Sequence, residues 1–248
     1  MNYTNVLLMT STIAPADDVF MLVRKDPELR LADYKASFEF QINLLKSDTI
    51  DAIVYADNSG FPLDHLKNIC EKAGVSDRVE FISYKSDALP SLGRYFLEIN
   101  LIGRAIAVSK LLSADVPLRI WKLTGRYIVT NIGKIIREAP DCDLYINCRN
   151  HPEPWADFYL AAFTMRGYTE ILAKDPEKYR DTIVGERILR EIIDTKSFLG
   201  CKIVKRFTRV PWIFGVRGLD GVQYSSFSGT MKYYIRIAAN RIMPSLWI

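Results

Sequence analysis

Short apolar runs that end in small polar residues recur in the first half of the chain, and this pattern constrains the fold most. The run from Asn5 to Ser11 leads into a hydroxyl-rich loop, Thr10 to Pro15, and the run from Ile50 to Ala56 leads into Asp57-Asn58-Ser59-Gly60. Buried parallel strands are nearly continuous apolar runs, and ligands bind where such strands end. We therefore expect two parallel strands that deliver polar groups to one edge of a sheet.

Strand-like and helical segments alternate up to about residue 150. Helices are expected at Leu31 to Leu45, Leu63 to Ala73, Leu97 to Leu112 and Gly133 to Glu138, and further strands at Val79 to Tyr84 and Asp143 to Cys148. This alternation predicts an α/β fold with a mainly parallel, Rossmann-like sheet and helices on both faces.

The pattern changes after residue 150. The segments expected there are an antiparallel strand at Asp157 to Tyr168, helices at Tyr168 to Leu172 and Val184 to Ile193, and a basic strand at Cys201 to Val210. No linker-like stretch separates the two halves, so we expect one domain with an antiparallel C-terminal part.

Composition argues against several classes of protein. The 248 residues are 49% hydrophobic and 25% charged, without a long apolar run or a signal-peptide pattern, so we expect a cytoplasmic protein. Four scattered cysteines and two histidines argue against a zinc site. The net charge of +4 favours anionic ligands or an anionic surface, but it is too small to indicate nucleic-acid binding.

Residues 119–129, Arg-Ile-Trp-Lys-Leu-Thr-Gly-Arg-Tyr-Ile-Val, combine apolar ends with a basic centre. A buried strand has no reason to carry Lys122 and Arg126 around Gly125 unless an anion lies beside them. The alternative is a strand end and a turn with solvated basic side chains. The position of the segment, between a long apolar helix and the strand at 143–148, favours an anion-binding site.

The order of these segments resembles that of nucleotide-sugar glycosyltransferases of the GT-A type, over roughly residues 5–195. In that family the first strand ends in a hydroxyl-rich loop, as Thr10 to Pro15 does, and the second ends in an acidic residue near the nucleobase, the position of Asp57. The family's metal-binding Asp-x-Asp element falls here on Lys122-Leu123-Thr124-Gly125-Arg126, which is a large departure. The Asn-Ser-Gly and Lys-x-Thr-Gly-Arg-Tyr segments resemble, more narrowly, bacterial lipopolysaccharide and capsular polysaccharide transferases.

The resemblance implies an enzyme that transfers a hexose or related sugar from a nucleotide-sugar donor to a growing, lipid-linked surface glycan such as O-antigen, lipopolysaccharide or capsule. It implies that residues 1–150 bind the donor and residues 151–230 the glycan acceptor. For Arg24 and Arg30, which would close over the donor, solvation at the surface is the alternative. The predicted donor-binding residues are Thr10, Ser11, Thr12, Arg24, Arg30, Asp57, Asn58, Ser59, Lys122, Thr124, Gly125 and Arg126.

We expect this transfer to need no metal or other cofactor. A departing nucleotide diphosphate gains negative charge, which Lys122 and Arg126 can stabilise in place of a metal ion, and Gly125 would let the backbone approach the phosphates. Asp141-Cys142-Asp143 is an alternative metal-binding element. It begins a strand, however, so its carboxylates are expected at the opposite edge of the sheet.

The second half supplies candidates for acceptor activation. Inverting members of the resembled family use a carboxylate at the start of a late helix as the base, and Glu186 has that position. The alternative is an acidic first-turn residue favoured by the helix dipole. Asp157 is a weaker candidate base, while His151 and Asp220 are assigned to acceptor binding, with loop and turn roles as their alternatives. A retaining enzyme would need no such base.

The last segment, residues 231–248, places three cations among aromatic and aliphatic residues at nearly helical spacing. A basic amphipathic tail of this kind is typical of a helix lying on an anionic membrane, which predicts peripheral association with the inner face of the cytoplasmic membrane. Packing of the tail against the domain and a homodimer contact are the alternatives.

Two other functions stay open at this point. The protein could be a non-catalytic nucleotide- or sugar-binding subunit with a partner in a glycan-assembly complex. It could also use a nucleotide for other chemistry, although neither Gly-x-Gly-x-x-Gly nor a P-loop sequence is present.

Overall fold

The computed structural model describes residues 3–17, 19, 22–113, 116–180, 184–195, 200–243, 246 and 248. The strands are β1 (Thr4–Ser11), β2 (Ala52–Asp57), β3 (Val79–Ser83), β4 (Leu118–Thr124), β5 (Ile128–Val129), β6 (Leu144–Arg149), β7 (Trp155–Phe163), β8 (Ile203–Val204) and β9 (Ile213–Phe214). The helices are α1 (Pro27–Lys46), α2 (Asp64–Ala73), α3 (Arg94–Val108), α4 (Ile132–Arg137), α5 (Met165–Gly167), α6 (Gly185–Thr195) and α7 (Phe227–Ile242).

Seven of these strands form a sheet in the order β3-β2-β1-β4-β7-β6-β8, and β5 pairs with β9. Strands β3, β2, β1 and β4 are parallel, with β1 in the centre of the four. Strand β7 is antiparallel to both β4 and β6. The predicted fold class, a mainly parallel α/β sheet with an antiparallel C-terminal part, is therefore confirmed.

Helices cover both faces of this sheet. Successive residues of a strand point to opposite faces, so each strand packs against helices on both sides. Leu7 and Met9 of β1 pack against α1, α2 and α4, whereas Val6 and Leu8 pack against α3 and α6. A strand buried on both faces must be apolar throughout, which is why the first two strands appear in the sequence as unbroken apolar runs.

The predicted antiparallel strand from Asp157 to Tyr168 is too long, because β7 ends at Phe163. Thr164 begins a helical turn instead, with its Oγ1 accepting a hydrogen bond from the backbone N of Gly167 (3.1 Å). A Cβ on Gly167 would lie 1.9 Å from the carbonyl oxygen of Asp143, so this turn packs directly on the backbone that leads into β6. The apolar run from Phe158 to Phe163 does not itself reveal such a cap.

The predicted basic strand from Cys201 to Val210 is also shorter. Only Ile203–Val204 pairs with β6. Beyond it the backbone N of Thr208 donates to the hydroxyl of Tyr145 (2.7 Å), and Arg209 forms an ion pair with Glu138. The backbone of this segment therefore stays beside β6, where the carbonyl oxygen of Lys205 also accepts from the backbone N of Cys148 (2.8 Å), while Lys205 and Arg209 pair with carboxylates outside the sheet.

The C-terminal tail is helix α7, which begins at Phe227 rather than at the predicted Met231. Ser226 caps it by accepting a hydrogen bond from the backbone N of Gly229 (3.2 Å), and the ring of Tyr233 stacks on Trp212 with centroids 4.9 Å apart. One side of the tail thus packs on the domain, while its Trp247 lies outside the described residues. Among the residues that the structure describes, no helix is both long and apolar enough to cross a membrane.

Candidate active site

A cavity of about 950 Å³ opens at the carboxyl edge of the parallel strands. Its walls come from the loops after β1, β2, β3 and β4, from the first turns of α3, α6 and α7, and from β7 and residues 210–224. In sheets of this type, ligands bind at this edge. The predicted site residues that line the cavity are Thr10, Ser11, Thr12, Arg30, Asn58, Ser59, Thr124, Arg126, Asp157 and Glu186.

Asp57, which was assigned to the nucleobase, does not line this cavity. It is fully buried, and its carboxylate accepts hydrogen bonds from Ser11 Oγ (2.7 Å), the backbone N of Ile13 (3.0 Å) and the backbone N of Ser59 (2.8 Å). The loops after β1 and β2 are therefore held together by this carboxylate. The neighbouring side chains Asn58 and Ser59 face the cavity in its place.

Lys122, which was assigned to the diphosphate, does not line the cavity either. Its side chain is fully buried, and Nζ donates to Glu98 Oε1 (2.6 Å), to the carbonyl oxygen of Phe158 (2.5 Å) and to Thr124 Oγ1 (3.0 Å). These three contacts use all the hydrogens of an ammonium group. Lys122 therefore supports the wall of the cavity, and its assignment to the diphosphate stays a prediction.

The Phe158 carbonyl is available to Lys122 because of an irregularity in β7. Strand β6 changes register between Ile146 and Asn147, which pair with Ala161 and Asp157 respectively. Phe158 lies in the interval that β6 leaves unpaired, and a buried carbonyl needs another donor. The ammonium of Lys122 supplies it.

Gly125 serves the packing of the protein. Its backbone N donates to the carbonyl oxygen of Thr10 (2.8 Å), and a Cβ would lie 2.9 Å from that oxygen and 3.2 Å from the ring of Tyr34. The glycine lets the end of β4 lie against both. The predicted contact between Gly125 and the ligand stays a prediction.

Arg126 extends into the cavity wall from this turn. Its Nε donates to the carbonyl oxygen of Val216 (3.3 Å), its Nη2 donates to the hydroxyl of Tyr127 (3.1 Å), and its guanidinium lies 4.8 Å from the centroid of the Tyr127 ring. The cation is thereby held in one orientation. Its assignment to the donor stays a prediction.

Arg24, which precedes α1, and Arg30, which lies within it, differ in their position relative to the cavity. Arg30 lines the cavity but is 3% exposed, and it donates to the carbonyl oxygen of Thr12 (2.8 Å) and to the hydroxyl of Tyr34 (3.2 Å). Arg24 forms an ion pair with Asp33 (2.5 Å) and does not line the cavity, so its closure over a donor is not seen. Arg30 therefore stabilises the hydroxyl-rich loop by a hydrogen bond from α1 to the backbone of Thr12.

Glu186 lies in the first turn of α6, on the cavity wall. A Cβ on Gly185 would lie 2.3 Å from Tyr95, so the glycine lets this turn pack directly against α3. Burial raises the pKa of Glu186, and the negative charge of Glu98 raises it further, while Arg94 and Lys122 oppose the shift. A carboxyl with a raised pKa in a cavity is suited to accept a proton.

Asp157 lines the same cavity but is engaged by the protein. It accepts hydrogen bonds from Asn147 Nδ2 (2.9 Å) and Arg149 Nε (3.3 Å), and Arg149 in turn lies 5.2 Å from the centroid of the Trp155 ring. These contacts occupy the carboxylate of Asp157, whereas Glu186 forms no ion pair within the described part of the chain. Glu186 is therefore the better of the two candidate bases.

The two predicted acceptor residues do not line the cavity. His151 is exposed in the loop between β6 and β7, and Asp220 pairs with Arg217 and accepts a hydrogen bond from the backbone N of Val222 (3.2 Å). Asp220 is thus a turn residue that orients Arg217, whose side chain does line the cavity. The structure thus does not bring His151 or Asp220 into the cavity, and their assignment to acceptor binding stays a prediction.

Several charged residues of the cavity wall were not among the site residues predicted from the sequence. Arg94 lies in the first turn of α3, before the start of the predicted helix at Leu97, whereas Glu98 lies inside that helix but was not assigned to the site. Lys85 follows β3, so the rule that identified the loops after β1 and β2 could have found it. Lys232 and Arg236 were assigned to a membrane-binding tail but are one helical turn apart on the cavity side of α7.

The charge of the cavity is strongly positive. Among the described residues, eight cationic side chains and three carboxylates line it, and two of the carboxylates are paired with Lys122 and Arg149. Lys85, Arg94, Lys232 and Arg236 form no ion pair within the described part of the chain. The first turns of three helices add partial positive charge. The cavity is therefore suited to an anionic ligand that carries more than one charge.

The alternative metal-binding element lies at the other edge of the sheet, as expected. Asp141 accepts a hydrogen bond from the hydroxyl of Tyr3 (2.6 Å), which precedes β1, and Asp143 accepts one from Thr164 Oγ1 (3.0 Å). Across the described ranges, no group of three or more His, Cys, Asp or Glu side chains is arranged to hold a metal ion.

Comparison with known proteins identifies no family. No protein-family model and no curated protein matches the sequence. Solved structures with a similar fold include a candidate nucleotide-diphospho-sugar transferase of Desulfovibrio desulfuricans G20, with 10% identity, a TM-score of 0.45, and coverage of 82% of this chain and 80% of that one. A nucleoside-diphosphate-sugar pyrophosphorylase of Vibrio cholerae RC9 has 11% identity, a TM-score of 0.46, and coverage of 81% and 91%.

A third similar structure is a candidate glucose-1-phosphate thymidylyltransferase of Bacillus anthracis in complex with sucrose, with 10% identity, a TM-score of 0.46, and coverage of 94% of both chains. Similarity of this extent does not specify a substrate. The functional conclusion therefore rests on the geometry and charge of the cavity.

Proposed function

We propose that this protein is a glycosyltransferase that moves a sugar from a nucleotide-sugar donor to a hydroxyl of a glycan, without a metal ion. The observation that carries the proposal is the combination of Glu186, a carboxyl with a raised pKa, with a cavity whose other unpaired charges are cations. A base beside an anion-binding surface is what displacement of a diphosphate by a hydroxyl requires.

The proposed reaction is a direct displacement with inversion at the anomeric carbon. The acceptor oxygen forms a bond to that carbon and gives its proton to the carboxylate of Glu186. The bond from the carbon to the diphosphate oxygen breaks, and its electron pair leaves with the diphosphate. Fixed cations that meet this growing charge, among them Arg126 and Arg94, lower the barrier.

The ion pair between Lys122 and Glu98 supports the metal-free form of this proposal. Lys122 occupies the strand end where the resembled family carries a metal-binding carboxylate, and it neutralises Glu98, a nearby carboxylate in the cavity wall. The charge that would attract a divalent cation is thus already compensated inside the protein.

The acceptor side is proposed to bind a glycan chain. Trp155, Tyr159, Trp212, Tyr224 and Tyr233, all from the second half, line the cavity. Aromatic faces offer large apolar surfaces with polar edges, which suits the alternating CH and OH groups of sugar rings. A growing bacterial surface glycan is the acceptor class that the family resemblance favours.

The first test of the proposed function is whether the protein binds a nucleotide-sugar donor. In a thermal-shift screen with sugars carried by UDP, GDP, CMP and dTDP, we expect one nucleotide class to raise the melting temperature, by a few degrees at about 100 times its Kd. Arg94→Gln is expected to reduce the shift, because its cation has no carboxylate partner among the described residues. Arg104→Gln, lower on the same helix and outside the cavity wall, is the matched control. The absence of any shift with all four classes would contradict donor binding.

Metal independence is tested with the donor that binds. Release of the nucleotide diphosphate in the presence of acceptor is expected to keep at least half of its rate in excess EDTA, because protein cations supply the charge stabilisation. Complete loss of turnover that Mn²⁺ or Mg²⁺ restores would refute the metal-free mechanism while leaving sugar transfer intact.

A further inference from the structure

Helix α7 carries an apolar stripe on the side that faces away from the cavity. The stripe consists of Phe227, Met231, Tyr234, Ile235 and Ile242, all of them exposed. At about 100° per residue these positions fall within an arc of roughly 100°. Phe227 and Ile242, at opposite ends, are 85% and 77% exposed, so nothing in the described part of the chain covers the stripe.

The other side of the same helix accounts for its packing on the domain. Tyr233 stacks on Trp212, Ala239 is buried, and Lys232 and Arg236 line the cavity. The stripe is therefore not needed to hold α7 in place. Large apolar side chains grouped on one exposed face mark a surface that contacts something else.

The charged residues near the stripe indicate which kind of partner it contacts. From Gly221 to Ile248 the chain contains Lys232, Arg236 and Arg241 and no acidic residue. Arg241 and Lys232 are exposed and flank the stripe on either side. A second copy of this chain would bring the same cations together across a symmetric interface, which is unfavourable. An anionic lipid surface satisfies both the apolar stripe and its cationic margins.

We infer that the exposed stripe of α7 docks on an anionic lipid bilayer, with Phe227, Met231 and Ile242 inserted among the acyl chains. Since α7 has the stripe on one side and lines the cavity on the other, docking would hold the cavity about one helix diameter, ~10 Å, from the lipid headgroups. Lys232 and Arg236 would then face an acceptor anchored in that bilayer. This last step rests on the proposed function, whereas the docking itself does not.

Vesicle co-sedimentation of the full chain tests the inference. With vesicles of 70% phosphatidylcholine and 30% phosphatidylglycerol, we expect binding that drops at least about 30-fold in Phe227→Ser/Ile242→Ser, because two apolar side chains leave the membrane. Arg241→Gln should weaken binding about fivefold on these vesicles and leave any binding to pure phosphatidylcholine unchanged. Val108→Ser/Val116→Ser removes two exposed apolar side chains away from α7 and is expected to bind like the wild-type chain.

Three results would overturn the inference. One is the absence of binding to the anionic vesicles, another is equal binding by Phe227→Ser/Ile242→Ser and the wild-type chain, and the third is equal loss in the Val108→Ser/Val116→Ser control. If the stripe variant instead turns a dimer into a monomer in sedimentation velocity, the partner is a second copy and the lipid proposal is wrong. Donor-induced thermal shifts of the same variants report the cavity separately, so docking and donor binding can fail independently.

Discussion

Glu186→Gln is expected to lower kcat by about 10³-fold, within the range that general bases contribute, and to leave donor affinity within about threefold of wild type. The amide keeps the shape of the side chain but cannot accept the acceptor proton. The measurement is nucleotide diphosphate release together with donor binding by calorimetry. Glu191→Gln, on the exposed side of the same helix, is the matched control and should change neither quantity.

The pH dependence gives a second readout of the same residue. The base acts as a carboxylate, so kcat/KM should fall as the pH drops through the pKa of Glu186. Burial raises that pKa, so this acid limb is expected above the ordinary glutamate value of about 4.3, and it should disappear in Glu186→Gln. A variant with full turnover would exclude Glu186 as the base. A protein that binds donors but never turns them over in any variant would be a non-catalytic subunit.

The sign of this pKa shift also predicts the stability of the variant. A carboxyl whose pKa is raised in the folded state contributes stability that is fully present below its unfolded pKa and is lost as the pH rises through the folded one. Above that folded pKa the protein therefore holds a charge at Glu186 that burial disfavours. Glu186→Gln should consequently be as stable as the wild type or more stable at pH 7, and the loss of activity cannot then be attributed to unfolding.

Lys122→Met is expected to lower the free energy of unfolding by about 3–4 kcal/mol, the cost typical of removing one partner from a buried ion pair. Methionine fills a similar volume, but Glu98 loses its cation and the carbonyl oxygen of Phe158 loses its donor. Urea unfolding followed by circular dichroism measures the change. Adding Glu98→Gln to this variant should recover part of the loss, since the unpaired charge is then removed.

Lys174→Met is the matched control for this experiment. Lys174 pairs with Glu170 on the surface, where both side chains are about half exposed, so its replacement should cost less than about 0.5 kcal/mol. If Lys122→Met lost no more than this control, Lys122 would not have the structural role assigned to it. Its original assignment as a ligand contact would then be reopened.

The fold was predictable where the residue pattern of a strand shows whether each of its two faces is buried. The continuous apolar runs of β1 and β2 indicate burial on both faces, and alternation with helices indicates parallel pairing. Boundaries were less predictable. Thr164 ends β7 through a hydrogen bond to Gly167, and Ser226 begins α7 in a similar way, and neither contact changes the apolar pattern around it.

The candidate site was predicted in part, for a related reason. Thr10, Asn58 and Ser59 line the cavity because the carboxyl ends of parallel strands share one edge of the sheet, which the order of strands in the chain already implies. Lys122 and Asp57 belong to the same strand ends, yet both are turned inward and fully bonded. Residue type and position along a strand do not reveal which polar groups the protein itself will use.

The basic segment from Lys122 to Arg126 shows where sequence and tertiary structure divide. The sequence by itself predicted that this segment is a strand with cations near its end and an anion-binding role, because residue type and the alternation of strands and helices can be followed along the chain. Only the tertiary structure decided that Lys122 is neutralised by Glu98 and hydrogen-bonded to the carbonyl oxygen of Phe158, while Arg126 lines the cavity. Those partners lie on α3 and β7, distant in sequence, and a buried charge takes whichever partners the packed chain brings to it.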